Sequence, residues 1–254
     1  MRRFFLGTGA TCAAVLAVIV CVASAAQIEL GATATPLAKP VCPATGGCPI
    51  ILTEATALEV LSDGTPYPTT AVHNGRVVAF TVWPASVSAA DVNGTAATGT
   101  TPAQPGLNAT YGGASEVAIT VLKPSSTKVA PGERVYTVVA ESPLFKLQPY
   151  FGHLVQFVLD QTLPIAKGEV VALTVPTWAP LLSVDLTKSQ FGWRASRTTG
   201  CLNYTVQAAQ LTVGSSTMYK CFFDATRVAY TATEITLPVP PPQPRTKGAN
   251  PKKK

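Results

Sequence analysis

Histidine is the side chain best suited to acid–base catalysis near neutral pH, and this sequence has only two, His73 and His153. They do not form the His-x-x-x-His spacing that places two ligands of one metal ion on the same helix face. The sequence also lacks the Gly-x-Ser-x-Gly motif of a nucleophile elbow and a glycine-rich phosphate loop ahead of a helix. We therefore predict that neither histidine is catalytic and that the protein uses no metal ion and no cofactor.

Acidic side chains offer a second route to catalysis, because two carboxyl groups flanking a glycosidic bond can hydrolyse it. The residues considered for this role are Asp160, Glu169, Asp185 and Asp224. They are scattered along the chain, and their spacing does not single out a pair. A carboxylate-dependent hydrolase of an envelope polymer is therefore kept as an alternative function.

Aromatic side chains can bind a sugar by stacking on the face of its ring. The candidate ligand-binding residues of this kind are Trp83, Trp178, Trp193, Tyr111 and Tyr150. Aromatic residues of a β-sandwich more often pack in its core or along its rim. The sequence alone does not place these five side chains together.

Cysteine spacing predicts disulfide bonds. Cys42 and Cys48 enclose a short Pro-Ala-Thr-Gly-Gly loop, and Cys201 and Cys221 enclose a longer segment with a turn at Gly214. We favour the pairs Cys42–Cys48 and Cys201–Cys221, although four cysteines allow three connectivities and a mixed pairing stays open. A redox or metal-binding role for the first pair is the weaker alternative.

The amino terminus resembles an export signal. A short basic start, Met1-Arg2-Arg3, precedes an apolar run over residues 4–22 and the small residues Ala23-Ser24-Ala25. This pattern is typical of a secretory signal peptide, here residues 1–25, and both Sec and twin-arginine export remain open. The run is just long enough to span a bilayer, so a retained anchor is the alternative. We predict a secreted or cell-surface protein, a location in which disulfides form.

The basic character of the chain comes from its two ends. Of 19 basic residues, two lie in the leader and five in the tail, which leaves twelve against 13 acidic residues in the body. The body carries almost equal numbers of basic and acidic residues and lacks the excess positive charge that binds nucleic acid. We therefore predict no nucleic-acid partner. The Pro-rich tail, residues 238–254, should be extended and then disordered. It is either simply exposed or an electrostatic tether to an anionic polymer or membrane.

Period-two alternation of apolar residues predicts β-strands along most of the body. Residues 154–178 read as strand, turn, strand, with Lys167-Gly168-Glu169 as the turn of a central hairpin. Asn74-Gly75 between two apolar runs predicts a second hairpin, because both central residues of that turn need positive φ. We predict an all-β fold, a jelly-roll-like antiparallel β-sandwich forming a single domain over residues 49–237.

Three further segments complete the predicted organisation. Residues 26–48 read as a linker that contains the small cysteine loop. Residues 89–113 are rich in Ala, Gly and Thr without a periodic apolar face, which predicts a long loop. Residues 205–213 and 218–220 read as a hairpin whose ends are tied by Cys201 and Cys221.

Four short sequence segments resemble those of a group of known proteins. They are Gly-Arg-Val-Val-Ala-Phe-Thr-Val-Trp (75–83), Ile-Thr-Val-Leu-Lys-Pro (119–124), Tyr-Thr-Val-Val-Ala-Glu-Ser-Pro (136–143) and Leu-Pro-Ile-Ala-Lys-Gly-Glu-Val-Val-Ala-Leu (163–173). Together they resemble secreted β-sandwich proteins of high-GC Gram-positive bacteria, with Lys123 where Arg is usual and Glu169 where Asp is usual. The resemblance covers residues 49–237 and implies the architecture but no activity.

These observations favour a non-catalytic exported binding module, with a carbohydrate or another cell-envelope polymer as the candidate ligand. Besides the hydrolase, a second alternative is a structural or assembly subunit of the cell surface that uses exposed strand edges. A membrane partner is expected only through an uncleaved leader.

Overall fold

The computed structural model describes residues 25–41, 50–126 and 134–238 of the chain. Within it, residues 25–237 form one compact unit. The predicted signal peptide up to residue 24, the Cys42–Cys48 loop and the basic tail from residue 239 lie outside the described residues. The prediction of these three features is therefore neither confirmed nor contradicted.

Strands dominate the described part of the chain, and the two helices found there are short. The helices are α1 (Ala89–Asn93) and α2 (Leu107–Thr110), and a 3-10 turn spans Gln148–Tyr150. The strands are β1 (Gln27–Leu30), β2 (Leu52–Ser62), β3 (Thr65–Pro66), β4 (Gly75–Val82), β5 (Gly94–Thr95), β6 (Gln104–Pro105), β7 (Glu116–Pro124), β8 (Val135–Glu141), β9 (Phe145–Lys146), β10 (Val155–Ile165), β11 (Val170–Ala179), β12 (Leu182–Ser183), β13 (Gly192–Ala195), β14 (Ser216–Met218), β15 (Cys221–Asp224), β16 (Arg227–Val228) and β17 (Tyr230–Thr236).

The main strands form two antiparallel sheets. The small sheet has the order β1-β17-β4-β10, and the large sheet has the order β14-β8-β7-β11-β2-β13-β15, with β3 and β9 at its margins. Two short ladders, β12-β16 and β5-β6, lie outside these sheets. The predicted all-β antiparallel sandwich is confirmed.

One apolar cluster joins the two sheets. Strand β10 of the small sheet buries Phe157 and Leu159 and exposes Val158, as its period-two alternation requires. Phe157 packs against Phe80 of β4, with ring centroids 5.2 Å apart, and side chains of the large sheet such as Leu173 complete the cluster. Full burial of each such side chain contributes about 1.5–3 kcal/mol to stability.

A second, smaller cluster lies on the outer face of the large sheet. It includes Leu58, Leu122, Tyr136 and Tyr219, and the Tyr136 and Tyr219 rings meet edge to face at 5.0 Å. Strands covered on both faces read as continuous apolar runs rather than alternating ones. This explains the uninterrupted burial of residues 170–175 in β11.

The central hairpin prediction is wrong in its pairing. Strand β10 pairs with β4 in the small sheet, whereas β11 pairs with β2 and β7 in the large sheet. The predicted turn is present, with Gly168 at φ 88°, but it carries the chain from one sheet to the other. Alternation identifies strands and their faces, but it does not identify partners. The apolar faces of β10 and β11 pack in the same core, although the two strands belong to different sheets.

The predicted Asn74-Gly75 hairpin is also wrong. Gly75 is the first residue of β4 and pairs with Ile165 and Thr236, and its φ is not positive. A Cβ at Gly75 would lie 2.3 Å from Oε1 of Glu234. The glycine is therefore needed for close approach of the backbone to a neighbouring strand rather than for a turn.

Part of the predicted linker belongs to the sandwich. Residues Gln27–Leu30 form β1, which pairs with β17 at the edge of the small sheet. The Glu29 carboxylate accepts hydrogen bonds from the hydroxyls of Thr231 and Thr233. Four residues are too few for alternation to stand out in the sequence, so only the partner strand defines this element.

The other two segments differ in detail from their predictions. Residues 89–113 are irregular apart from α1, α2 and the β5-β6 ladder. Residues 205–213 form no strand and do not pair with residues 218–220, while β14 pairs with β8. Residues 208–214 instead run over the outer face of the large sheet, where Ala208 bridges to Ala55 and the Gly214 N–H donates to the Val138 carbonyl.

Candidate functional site: an apolar pocket beside the large sheet

A pocket of about 390 Å³ lies against strands β2, β13 and β15. Its apolar lining includes Leu52, Ala55, Leu182, Val184 and Ala195. The inward faces of β2 and β13 are apolar like the rest of the core. At this place the facing side chains leave a cavity instead of filling it.

An aromatic pair forms one wall of the pocket. Trp193 of β13 and Phe223 of β15 are directly opposite in register and stack with centroids 4.5 Å apart and planes 19° apart. Such cross-strand aromatic pairs stabilise a sheet while fixing both rings in place. The indole N–H of Trp193 donates to Oγ1 of Thr226 at 2.9 Å, which sets the ring's orientation. Both rings are therefore held in place along this side of the pocket.

Arg197 is the cation of the pocket lining, and it is almost fully buried. Arg197 follows Ala195 by two residues, just beyond the end of β13, and its side chain lies on the same inward side as those of Trp193 and Ala195. Its Nη1 donates to the Val206 carbonyl at 2.5 Å, and its Nη2 donates to the Thr53 carbonyl at 3.2 Å. Burial lowers the pKa of Arg197, and the nearby carboxylate of Glu54 partly offsets that effect. The guanidinium thus ties residue 206 to strand β2.

Glu54 is a residue of β2, next to the pocket, with an irregular backbone conformation. Its φ of 41° lies in the left-handed region, which costs a non-glycine residue energy, and the β2–β11 register shifts next to it. Oε2 of Glu54 is buried without a hydrogen-bond partner among the described residues. Across this irregularity Leu52 and Ala55, which unbroken alternation would place on opposite faces, both join the core and line the pocket.

Two tyrosines, Tyr111 and Tyr204, line the pocket near this charged pair. Burial raises the pKa of Tyr111, and the Glu54 carboxylate and Tyr204 raise it further. Each phenol can both donate and accept a hydrogen bond. Together with Arg197 they give an otherwise apolar pocket one polar corner, which we define as Tyr111, Arg197 and Tyr204. The Glu54 carboxylate lies near this corner without lining the pocket.

The structure brings together only two of the five predicted aromatic residues. Trp193 and Tyr111 line the pocket, whereas Trp83, Trp178 and Tyr150 do not. Trp178 is fully buried, and its indole N–H donates to Gly113 O and to Asn108 Oδ1, both at 3.1 Å. It therefore anchors the irregular segment 89–113 and presents no face to a ligand.

The four carboxylates considered for hydrolysis lie elsewhere. Asp160 and Asp185 are exposed, Glu169 accepts from the Ala166 N–H in its turn, and Asp224 lies 3.6 Å from Lys188 in an exposed ion pair. None of the four lines the apolar pocket. In residues 25–41, 50–126 and 134–238, no group of three or more His, Cys, Asp or Glu side chains is placed to hold a metal ion.

Sequence reasoning missed the polar corner except for Tyr111. The position of Arg197 could have been predicted from the sequence. It follows Ala195 by two residues and Trp193 by four, so period-two alternation places all three side chains on the same inward face. Glu54 and Tyr204 had no such signal, since the left-handed bulge and the path of residues 198–207 depend on contacts distant in sequence.

The predicted disulfide between Cys201 and Cys221 is confirmed. It ties the segment that carries Tyr204 to the first residue of β15, and it is compatible with an extracellular location. The other predicted pair, Cys42 and Cys48, falls outside the described residues.

No protein-family model, curated protein or solved structure matches this chain. Over the described ranges, no helix has the length and hydropathy needed to cross a bilayer.

Proposed function

We propose that this protein is an exported, non-catalytic binding module whose ligand is a small, largely apolar molecule held in the pocket. The observation that carries the proposal is the 390 Å³ cavity with the Trp193–Phe223 stack on one wall. Ligand pockets have volumes of about 300–1,000 Å³ and are mostly apolar with a few polar groups that orient the ligand. The cavity and its polar corner fit that description.

The lining favours one chemical class over the sugar considered from the sequence. A sugar needs many hydrogen-bonding partners, whereas much of the lining is apolar, including Leu52, Ala55 and Ala195. An aromatic or acyl body with one polar end matches the pocket better, since that end can reach the polar corner. Binding is favoured over hydrolysis because the carboxylates Asp160, Glu169, Asp185 and Asp224 lie away from the cavity.

The proposal is tested with two fluorescent dyes on residues 25–254. The first, 8-anilinonaphthalene-1-sulfonate, and the second, N-phenyl-1-naphthylamine, share an apolar body but differ in the sulfonate. We expect saturable binding at one site, and Ala195→Leu should weaken it at least tenfold by filling the cavity. Preference for the sulfonate would assign the anionic end of a ligand to Arg197.

Two surface tyrosines supply a matched control. Tyr204, 45% exposed, lines the pocket, and Tyr150, 38% exposed, does not. Tyr204→Ala should weaken dye binding about fivefold or more, while Tyr150→Ala should leave it unchanged. Absence of saturable binding by both dyes, or equal losses in both variants, would refute the proposal.

A further inference from the structure

Residues 198–219, called here the outer-face segment, contain no charged residue. The segment leaves β13, runs past the pocket and continues over the outer face of the large sheet towards β8. It exposes an unusual number of large apolar side chains for its length: Leu202, Tyr204, Val206, Leu211 and Val213. Large exposed apolar residues gathered in one segment mark interaction surfaces more often than scattered ones.

These side chains are held in position by the rest of the fold. The disulfide from Cys201 to Cys221 fixes the start of the segment. The Gly214 N–H donates to the Val138 carbonyl at 2.8 Å, which fixes its far part on β8. The backbone between them is anchored as well, because the Tyr204 carbonyl accepts from Oγ1 of Thr53 at 2.8 Å. Exposure of the apolar residues is therefore a feature of the folded structure rather than of a frayed loop.

Basic residues border the uncharged surface. Lys220 follows its last residue and is exposed, and Arg194 lies over the ring of the exposed Phe222 at 5.2 Å. Lys and Arg next to an apolar surface can place their stems on the hydrocarbon side and their charges among anionic head groups.

We propose that the outer-face segment binds the surface of a lipid bilayer, with Leu202, Tyr204 and Val206 inserted at the boundary between head groups and acyl chains. The polar residues between them, Asn203 and Thr205, are uncharged and can remain at head-group depth. Tyrosine suits this boundary because its ring is apolar and its hydroxyl is polar. A lipid surface is favoured because the basic side chains of Lys220 and Arg194, next to this uncharged segment, complement anionic head groups.

This inference does not depend on the ligand of the pocket. Tyr204 belongs to both surfaces, so the test leaves it intact and changes Leu202 and Val206. Loss of vesicle binding with unchanged dye binding separates the two proposals.

The test uses residues 25–254 and sedimentation with sucrose-loaded vesicles of phosphatidylcholine and phosphatidylglycerol at 3:1. The basic tail can also bind anionic vesicles, but its contribution is screened at high salt, so the decisive measurement is made in about 0.5 M NaCl. The double variant L202S/V206S should reduce the partition coefficient at least tenfold. The control L154S/V158S changes side chains of the same types and similar exposure, 54% and 70% against 75% and 51%, and should stay within twofold.

Two results would overturn the inference. One is wild-type protein that does not sediment with these vesicles at high salt, or that loses binding equally in both double variants. The other is a dimer, detected by light scattering, that L202S/V206S dissociates, because a second copy would then cover the segment.

Discussion

The buried carboxyl group of Glu59 accepts a hydrogen bond at 2.5 Å, through Oε1, from the backbone N–H of Val228. Glu59 faces inward from β2, and its second oxygen, Oε2, has no partner within the described part of the chain. Burial raises the pKa of Glu59 to about 8, although the bond from Val228 and the charge of Arg227 act in the opposite direction. The folded protein therefore holds a proton on Glu59 at neutral pH.

This proton makes stability depend on pH. The ordinary pKa of a glutamate is 4.5, so between about 4.5 and 8 the folded state binds a proton that the unfolded state releases. The contribution is fully present below pH 4.5 and is lost as pH rises towards 8. Glu59→Gln cannot ionise, and its free energy of unfolding should decline less steeply, by at most about 1.4 kcal/mol per pH unit. Urea unfolding of both proteins at pH 5, 6, 7 and 8 measures the difference; parallel curves would contradict the prediction.

The disulfide should stabilise both the domain and the segment that it anchors. Replacing Cys201 and Cys221 together by alanine should lower the free energy of unfolding by about 3 kcal/mol, since the bond closes a loop of 20 residues. Denaturant unfolding measures the loss, and reduction of the wild-type protein is the control. Hydrogen exchange should increase most in residues 198–207. A uniform increase across the sandwich would show that the bond does not act locally.

Three threonine hydroxyls are linked across neighbouring strands on the outer face of the large sheet. Oγ1 of Thr174 lies 2.9 Å from Oγ1 of Thr56 and 2.6 Å from Oγ1 of Thr120. Thr174→Val keeps the shape but removes both bonds, while the Gln210 N–H still donates to Oγ1 of Thr56. Each lost bond contributes about 0.5–1.5 kcal/mol, so the variant should lower stability by about 1–3 kcal/mol. The exposed Thr187→Val should change stability by less than about 0.5 kcal/mol. Similar melting temperatures for the two variants would refute the role of the hydroxyl chain.

Gly75 tests whether close strand packing or backbone φ explains the glycine. In Gly75→Ala the new methyl group would meet Oε1 of Glu234 at 2.3 Å and the Ile235 carbonyl at 2.7 Å, so we expect a loss of about 1–3 kcal/mol. In Gly168→Ala the new methyl group would have no atom within 4 Å, but residue 168 has a φ of 88°. Its loss of stability should therefore come from backbone strain alone. Thermal unfolding compares them. A smaller loss for Gly75→Ala would contradict the close-approach explanation.

Much of the fold was predictable because strand formation is a local property. Alternation placed β7, β8 and β10 close to their observed positions, and Arg227–Leu237 was expected as a strand where β16 and β17 lie. The two hairpin predictions failed for a shared reason. Turn residues such as Asn74-Gly75 and Lys167-Gly168-Glu169 bend the chain, but the strand that pairs with each neighbour is selected by packing. The candidate site was predicted only through Trp193 and Tyr111.

The amino-acid sequence by itself determined that the body would be all-β, which faces of its strands would be apolar, and that Cys201 could pair with Cys221, because these depend on residues near one another along the chain. Only the tertiary structure decided that β10 and β11 belong to different sheets, that Glu59 is buried and that Arg197 and Tyr204 line one pocket beside Glu54. The physical reason is that pairing, burial and cavities arise where segments distant in sequence pack together.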